Sequence, residues 1–330
     1  MKIPEKSQSE EKILEHLGIF RQKDLQWRSG QVFGYVYYAG KAAEELGKRA
    51  YMEFLTENGL DPTSFPSLLQ MENEVVSMAG SHVGGDENVV GNFTSGGTES
   101  ILMAVKSARD YYRAKKPGIK APEMLMPATA HAAFHKAAKY FDVKPVLVPV
   151  DGATFKADVA AIRQAITENT ILMVGSAPSY AHGVVDPIEE LAAMAQEHDL
   201  LFHTDACVGG FMLPYLKQLG ESVPKFGFDV PGVTSLSMDL HKYGYTPKNA
   251  SVVLYKDKSI RRKQIFACAN WPGYTVVNGA AQSSKTGGPL AAAWAVLNFL
   301  ADEGYLEIAR QTMAATRQMA EGINAMEGLE

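Results

Sequence analysis

Thr170-Ile171-Leu172-Met173-Val174-Gly175-Ser176, then Asp186-Pro187-Ile188-Glu189-Glu190-Leu191, then Leu200-Leu201-Phe202-His203-Thr204-Asp205 is the stretch from which the fold is read. Ile171 to Val174 and Leu200 to Thr204 are short, nearly unbroken apolar runs of strand length. Between them, Asp186 offers an N-cap, Pro187 the first helical position and Glu189 the third, and Leu191, Met194 and Ala195 continue at helical spacing. Strand, helix, strand with two apolar strands predicts parallel pairing in a sheet covered on both faces.

The pattern extends in both directions. Upstream, Ile101, Leu102, Val105, Ala108 and Tyr112 mark a helix after Thr98. Glu123 to Pro127 reads as a strand, Ala130 to Phe141 as a helix and Val146 to Val150 as a strand. Asp158 is placed to cap a helix carrying Ile162, Ala165 and Ile166. Downstream, Val233 to Met238 and Ser251 to Tyr255 read as two more strands, and a last helix covers about Gly288 to Met326. The fold class is α/β, with a mainly parallel central sheet flanked by helices. Residues 1–60 form a helical and aromatic preface, in which Gly34-Tyr35-Val36-Tyr37-Tyr38 is a loop or short strand expected to pack against something. Residues 61–285 form the large α/β domain. Residues 286–330 read as a linking helix that starts a small domain, expected to be truncated because no strand follows.

The 330 residues include 46% hydrophobic ones, enough for a large core, and the net charge of −5 comes from 32 basic against 37 acidic side chains. No strong field invites nucleic acid or an anionic surface, and no membrane span or signal-like apolar run is apparent. Localisation is expected to be cytoplasmic. Cys207 and Cys268 have no metal-type spacing and read as two reduced thiols.

In doubly wound sheets, ligands bind where strands end and helices begin. The polar clusters fall there: Thr94 to Thr98, Thr129 to His131, Ser176 to His182, Asp205, and His241-Lys242. Asp205 closes an apolar strand, and a carboxylate there needs a cationic or donor partner. Either it is a structural aspartate, or it faces a protonated pyridine nitrogen and keeps a pyridoxal-phosphate ring charged as an electron sink. Lys242 follows another apolar strand. It is a solvated surface charge or, turned inward, a lysine whose burial lowers its pKa and frees the neutral amine for Schiff-base chemistry. Ser95-Gly96-Gly97-Thr98 opens a helix, as an ordinary cap or as a cradle for an anion. His131 either makes local hydrogen bonds or lies flat on a ring. His131 and His135 have i,i+4 spacing, but no zincin glutamate accompanies them, so no metal site is expected.

At this point the sequence resembles a known family. Thr94 to Ser100, Ala130-His131-Ala132-Ala133-Phe134, Pro178 to Asp186, His203 to Phe211 and Asp239 to Lys248 are similar, in order, to the motifs of the sphingosine-1-phosphate lyases. These belong to the group II decarboxylases that use pyridoxal 5'-phosphate (PLP) on the aspartate-aminotransferase type I fold. The resemblance implies Lys242 as the Schiff-base lysine, Asp205 as the pyridinium partner and His131 as the stacking ring. Gly97, Thr98 and His241 would cradle the cofactor phosphate, with Ser284 reaching in from the partner subunit of a homodimer. Tyr37, Asn58 and Asp61 match the substrate mouth, and Tyr180, Lys242 or Lys248 would move protons. The implied activity is retro-aldol cleavage of a 2-amino-3-hydroxy substrate, a phosphorylated sphingoid base, to an aldehyde and an amine. The alternative is amino-acid decarboxylation.

Two departures bear on that choice. The family's Asn-Pro-Leu-His-Pro-Asp reads Asn58-Gly59-Leu60-Asp61-Pro62-Thr63, placing an anion where a histidine would meet phosphate. Its Gly-Ser-Arg-Pro-Gly-Gly reads Ser283-Ser284-Lys285-Thr286-Gly287-Gly288, replacing a planar fork by a point charge.

Overall fold

The computed structural model describes residues 2–32 and 34–329, which divide into an N-terminal unit ending at Tyr38 and a unit from Ala39 onward. The first unit holds α1 (Glu10–Arg21), capped by the Ser9 side chain, and a single 3-10 turn at Trp27–Ser29. Its Gly34–Tyr38 segment is a loop, not a strand, and the Tyr38 ring meets Trp27 edge-on at 5.8 Å with the Arg28 guanidinium over both.

The second unit runs α2 (Lys41–Glu53), α3 (Pro66–His82), β1 (Val90–Thr94), α4 (Gly97–Lys115), β2 (Glu123–Pro127), α5 (Ala132–Phe141) and β3 (Lys144–Val148). It continues α6 (Val159–Ala165), β4 (Thr170–Ser176), α7 (Ile188–Glu197), β5 (Leu201–Asp205), α8 (Met212–Gln218), β6 (Ser235–Met238), β7 (Ser251–Tyr255), α9 (Lys258–Arg261), β8 (Phe266–Cys268), β9 (Val276–Asn278) and α10 (Gly287–Asn324). Seven strands make one sheet in the order β1-β7-β6-β5-β4-β2-β3. From β6 to β3 every pairing is parallel, and β7 runs antiparallel to both of its neighbours. β8 and β9 form a separate hairpin.

Period-2 alternation divides the sheet's side chains between two cores. Met124, Met126, Leu172, Val174 and Leu201 join α4 and α5 on one face. Leu125, Met173 and Phe202 pack with α3, α7, α8 and α10 on the other. All seven residues of β4 are buried, which is why that strand reads as a continuous run.

Several sequence-based expectations need correction. Asp186 does not cap α7. Pro187 occupies that position without a side-chain cap, while the Asp186 carboxylate accepts from Ser176 N and Ala157 N, both at 2.8 Å. Fully buried, it ties the end of β4 to the segment before α6. Burial holds its pKa above the ordinary carboxylate value, against the pull of those two amides. Asp158 does cap α6, through Ala161 N. β3 begins and ends two residues earlier than the apolar run suggests. The last helix is broken at Ala301, whose φ of 48° and ψ of −176° are not helical. Apolar spacing continues through that point, so nothing in the pattern marks the kink.

Candidate active site

β1 is antiparallel to β7, which is antiparallel to β6, so β1 points the same way as the parallel strands. The loops leaving β1, β2, β4, β5 and β6 therefore open at one edge, and they are the loops that carry the polar clusters. Hydroxyls stitch their roots together. Thr94 Oγ1 meets Ser100 Oγ at 2.6 Å, Ser100 meets Ser251 Oγ at 2.9 Å, and Ser251 donates to the Met238 carbonyl at 3.1 Å.

Lys242 sits in the turn after β6. That turn is closed by His241 N to Ala250 O at 3.0 Å and Tyr245 N to Lys242 O at 3.0 Å, and Tyr305 OH clamps the Gly244 carbonyl at 2.7 Å. The lysine side chain is 20% exposed and its Nζ lies 2.9 Å from Asp239 Oδ2, three residues back. Burial alone would lower its pKa, as expected from the sequence. The surrounding groups together, Asp239 foremost with Asp205 adding to it, outweigh burial, and the ammonium is held above its ordinary value. The expectation of a lowered pKa is corrected for that reason. Asp239 also lies 3.6 Å from His241 Nε2, and its buried Oδ1 has no hydrogen-bond partner among the described residues. Burial lowers the His241 pKa, and His241 Nδ1 accepts from Ala250 N at 3.2 Å.

Asp205 closes β5 one strand away. Its Oδ1 accepts from Cys207 N at 3.1 Å and from Ser237 Oγ at 3.2 Å, and no described residue donates to Oδ2. Burial raises the Cys207 thiol well above its usual value, with Asp205 and Asp239 adding to it, so this cysteine is an inert neighbour.

The turn before α4 reaches the same place. Gly96, with φ of 149°, takes a conformation that side chains rarely adopt. A Cβ on Gly97 would stand 2.7 Å from Cys207 Sγ and 2.8 Å from Asp239 Oδ1, so only glycine lets the helix start lie against that pair. Glu99 fixes the turn by accepting from Ser95 N at 2.6 Å and Ala281 N at 2.7 Å. The amides of the first turn, including that of Thr98, have no carbonyl partner within the helix.

The other candidates are placed as follows. His131 caps α5, its Nδ1 accepting from Ala133 N at 3.1 Å. Tyr180 is 68% exposed on the loop after β4. Lys248 Nζ donates to the His241 carbonyl at 3.2 Å, and burial of its ammonium lowers its pKa although Asp239 pulls the other way. Asn58 forms a backbone bridge with Thr286, and Gly59 N donates to Lys285 O at 2.8 Å, so the segments holding the two family departures are joined. Asp61, however, is folded into its own turn, accepting from Thr63 N, Thr63 Oγ1 and Ser64 Oγ, and these bonds lower its pKa. Lys285 is committed to Glu72 at 3.3 Å and to the Phe93 carbonyl at 3.2 Å, on the wall of a cavity of about 220 Å³ lined by Leu60, Phe65, Leu69 and Val277. Ser284 is exposed beside it, and Tyr37 belongs to the N-terminal unit.

Asp239 and Ser237 were missed by sequence reasoning. Their signals are a carboxylate three residues before the lysine and a serine inside a buried strand. Among the described residues, no group of three or more His, Cys, Asp or Glu is placed to hold a metal, and no helix is long and apolar enough to cross a membrane.

The pyridoxal-dependent decarboxylase conserved domain matches residues 1–330. A sphingosine-1-phosphate lyase of Dictyostelium discoideum is 40% identical over 329 residues, 99% of this chain and 62% of that protein. One from Oryza sativa subsp. japonica is 43% identical over 325 residues, 96% of this chain and 60% of that protein. The chain thus spans about three-fifths of the length of these relatives. The solved structure of a Burkholderia pseudomallei sphingosine-1-phosphate lyase superposes with a TM-score of 0.95 at 37% identity, covering 99% of this chain and 76% of that one.

Proposed function

The chain belongs to the pyridoxal-dependent decarboxylase family, and from that premise we propose that it is a PLP-dependent carbon–carbon lyase. Its substrate is a 2-amino-3-hydroxy compound of the phosphorylated sphingoid-base kind, cleaved by retro-aldol chemistry to an aldehyde and an amine. It works as a homodimer in the cytoplasm.

The observation that carries this reading is the pairing, at the ends of adjacent strands, of two complementary groups. One is a carboxylate with an uncommitted oxygen, Asp205. The other is a half-buried lysine, Lys242. PLP fits these residues. Lys242 would hold it, Asp205 Oδ2 would face its ring nitrogen, and the His131 ring, already oriented by its cap, would flank it. The α4 start at Gly97 and Thr98, with His241, would receive its phosphate. Ser284 would contribute from the partner subunit, which its exposure permits. When bound, PLP supplies an electron sink for the pair left on the substrate's alpha carbon.

The chain's own groups then manage protons. The lowered pKa of Lys248 suits it to take the 3-hydroxyl proton, and it sits in the turn that carries Lys242. Tyr180, on the neighbouring loop, or Lys242 returns a proton to the alpha carbon. Asn58 would contact the substrate. Exposed apolar residues of the β8–β9 hairpin region, Phe266, Trp271, Tyr274 and Val277, support a partner subunit there.

The lyase reading, over amino-acid decarboxylation, rests on likeness to lyases at 40% and 43% identity. One observation favours the alternative: Lys285 is committed to Glu72 and Asp61 is itself an anion, so neither offers a charge partner to a substrate phosphate. Aldehyde release from a phosphorylated sphingoid base tests the lyase. Carbon dioxide from an amino acid, without aldehyde, would overturn it in favour of decarboxylation.

A further inference from the structure

Behind Asp205 lies a row of polar groups that the reaction itself does not use. His203 and Asp205 lie two apart on β5 and share a face, and Ser235 and Ser237 lie opposite them on β6 in register. His203 and Ser237 are 0% exposed and Ser235 4%, so no bulk water substitutes for their bonds. His203 Nδ1 meets Ser235 Oγ at 2.9 Å, and its Nε2 meets Ser237 Oγ at 3.2 Å. Ser237 Oγ reaches Asp205 Oδ1 at 3.2 Å and receives Cys207 Sγ at 3.3 Å. The Phe134 ring closes the His203 face at 5.8 Å.

We propose that His203, Ser235 and Ser237 form an uncharged, one-way donor chain that positions Asp205. In it, Ser235 donates to His203 Nδ1, His203 Nε2–H donates to Ser237, and Ser237 donates to Asp205 Oδ1, leaving Oδ2 for the cofactor's ring nitrogen. The functional part rests on the PLP reading above; the direction of the protons does not.

The direction follows from counting protons. An ionised carboxylate only accepts, and a serine hydroxyl has one proton to give. If Ser237 gives it to Asp205, its lone pairs take the His203 and Cys207 protons. Burial keeps the imidazole neutral, with a pKa lowered to about 4, so it carries a single N–H. Placing that proton on Nε2 leaves Nδ1 as the acceptor that the Ser235 hydroxyl fills. The opposite tautomer turns both serine contacts around and takes the only Ser237 proton away from the carboxylate. Hydrogen bonds to a charged acceptor are the stronger ones, so the charge on Asp205 selects the first arrangement. A carboxylate held in this way stays aimed while substrate exchanges, as an electrostatic partner of a ring cation requires.

The test uses ring-nitrogen 15N-labelled PLP bound to the wild-type chain, Ser237→Ala and Ser237→Thr. Ser237→Ala is expected to weaken PLP binding roughly tenfold, equivalent to about 1.4 kcal/mol. The ring-nitrogen resonance should move toward the neutral pyridine position, and Ser237→Thr should restore both readouts. Unchanged affinity and resonance in Ser237→Ala would overturn the positioning role. A second measurement stands alone: in the 15N-histidine spectrum of the cofactor-free chain, the signals lost in His203→Gln should show the Nε2–H tautomer. An Nδ1–H pattern would overturn the chain's direction, whether or not Ser237→Ala folds. A wild-type chain that takes up no PLP while showing the Nε2–H pattern would defeat the cofactor reading and leave the proton chain standing.

Discussion

Asp239→Asn exchanges the carboxylate that holds Lys242 for a neutral amide of the same shape. Opposite unit charges 2.9 Å apart attract by about 6 kcal/mol at an effective dielectric near 20. Burial of the lysine works against this, so only part of the attraction appears as a net preference for the ammonium. If a quarter survives, about 1.4 kcal/mol, its loss makes the neutral amine ten times more populated. Without the carboxylate, burial becomes the dominant influence and the Lys242 pKa falls. Cofactor capture needs the neutral amine, so the rate at which PLP absorbance changes on mixing should rise at least about tenfold at pH 8. It should also level off at lower pH than in the wild type. The stability effect has a definite sign. A lysine pKa raised in the folded state stabilises the fold fully below the unfolded value of about 10.4, and that stabilisation is lost as pH rises through the folded value. The variant should therefore be less stable at neutral pH and lose less on going alkaline. Capture profiles of variant and wild type that overlay across pH would show that Asp239 does not set the charge on Lys242.

Further expectations concern the same edge of the sheet. Gly97→Ala forces a methyl group against Cys207 and Asp239 and should cost about 1–3 kcal/mol in urea unfolding, with weaker PLP binding; an unchanged midpoint would show that the helix start has room. Asp186→Ala leaves the buried amides of Ser176 and Ala157 without an acceptor and should cost about 2–4 kcal/mol, read as a lower denaturation midpoint. His203 stays neutral in the fold with its pKa lowered to about 4, while the unfolded chain takes up a proton near pH 6.5. Stability should thus fall by about 3 kcal/mol as pH drops from about 6.5 to 4. In His203→Gln that slope should be shallower; an equal slope would assign it to other groups.

The layout of the sheet was legible because it depends on local pattern. β4 and β5 are apolar runs of strand length, Asp158 precedes a helical stripe, and polar residues gather where strands end. The shared edge of the site followed, because parallel strands put their loops on one side. What stayed hidden depends on partners distant in the chain or on backbone geometry. Asp186 looks like a cap from its neighbours, but Ala157, from another loop, claims its carboxylate. Lys285 looks like a free cation until Glu72, 213 residues earlier, is brought beside it. The Lys242 amine was expected to be neutralised by burial, because only the folded turn brings Asp239 within 2.9 Å of it. The kink at Ala301 carries no glycine or proline to announce it.

Whether Lys242 holds PLP is decided by borohydride reduction of the PLP-loaded chain followed by peptide mapping. One pyridoxyl group is expected, on the peptide containing Lys242, and none in Lys242→Ala. A label on Lys248 or another lysine, or undiminished labelling of Lys242→Ala, would contradict it.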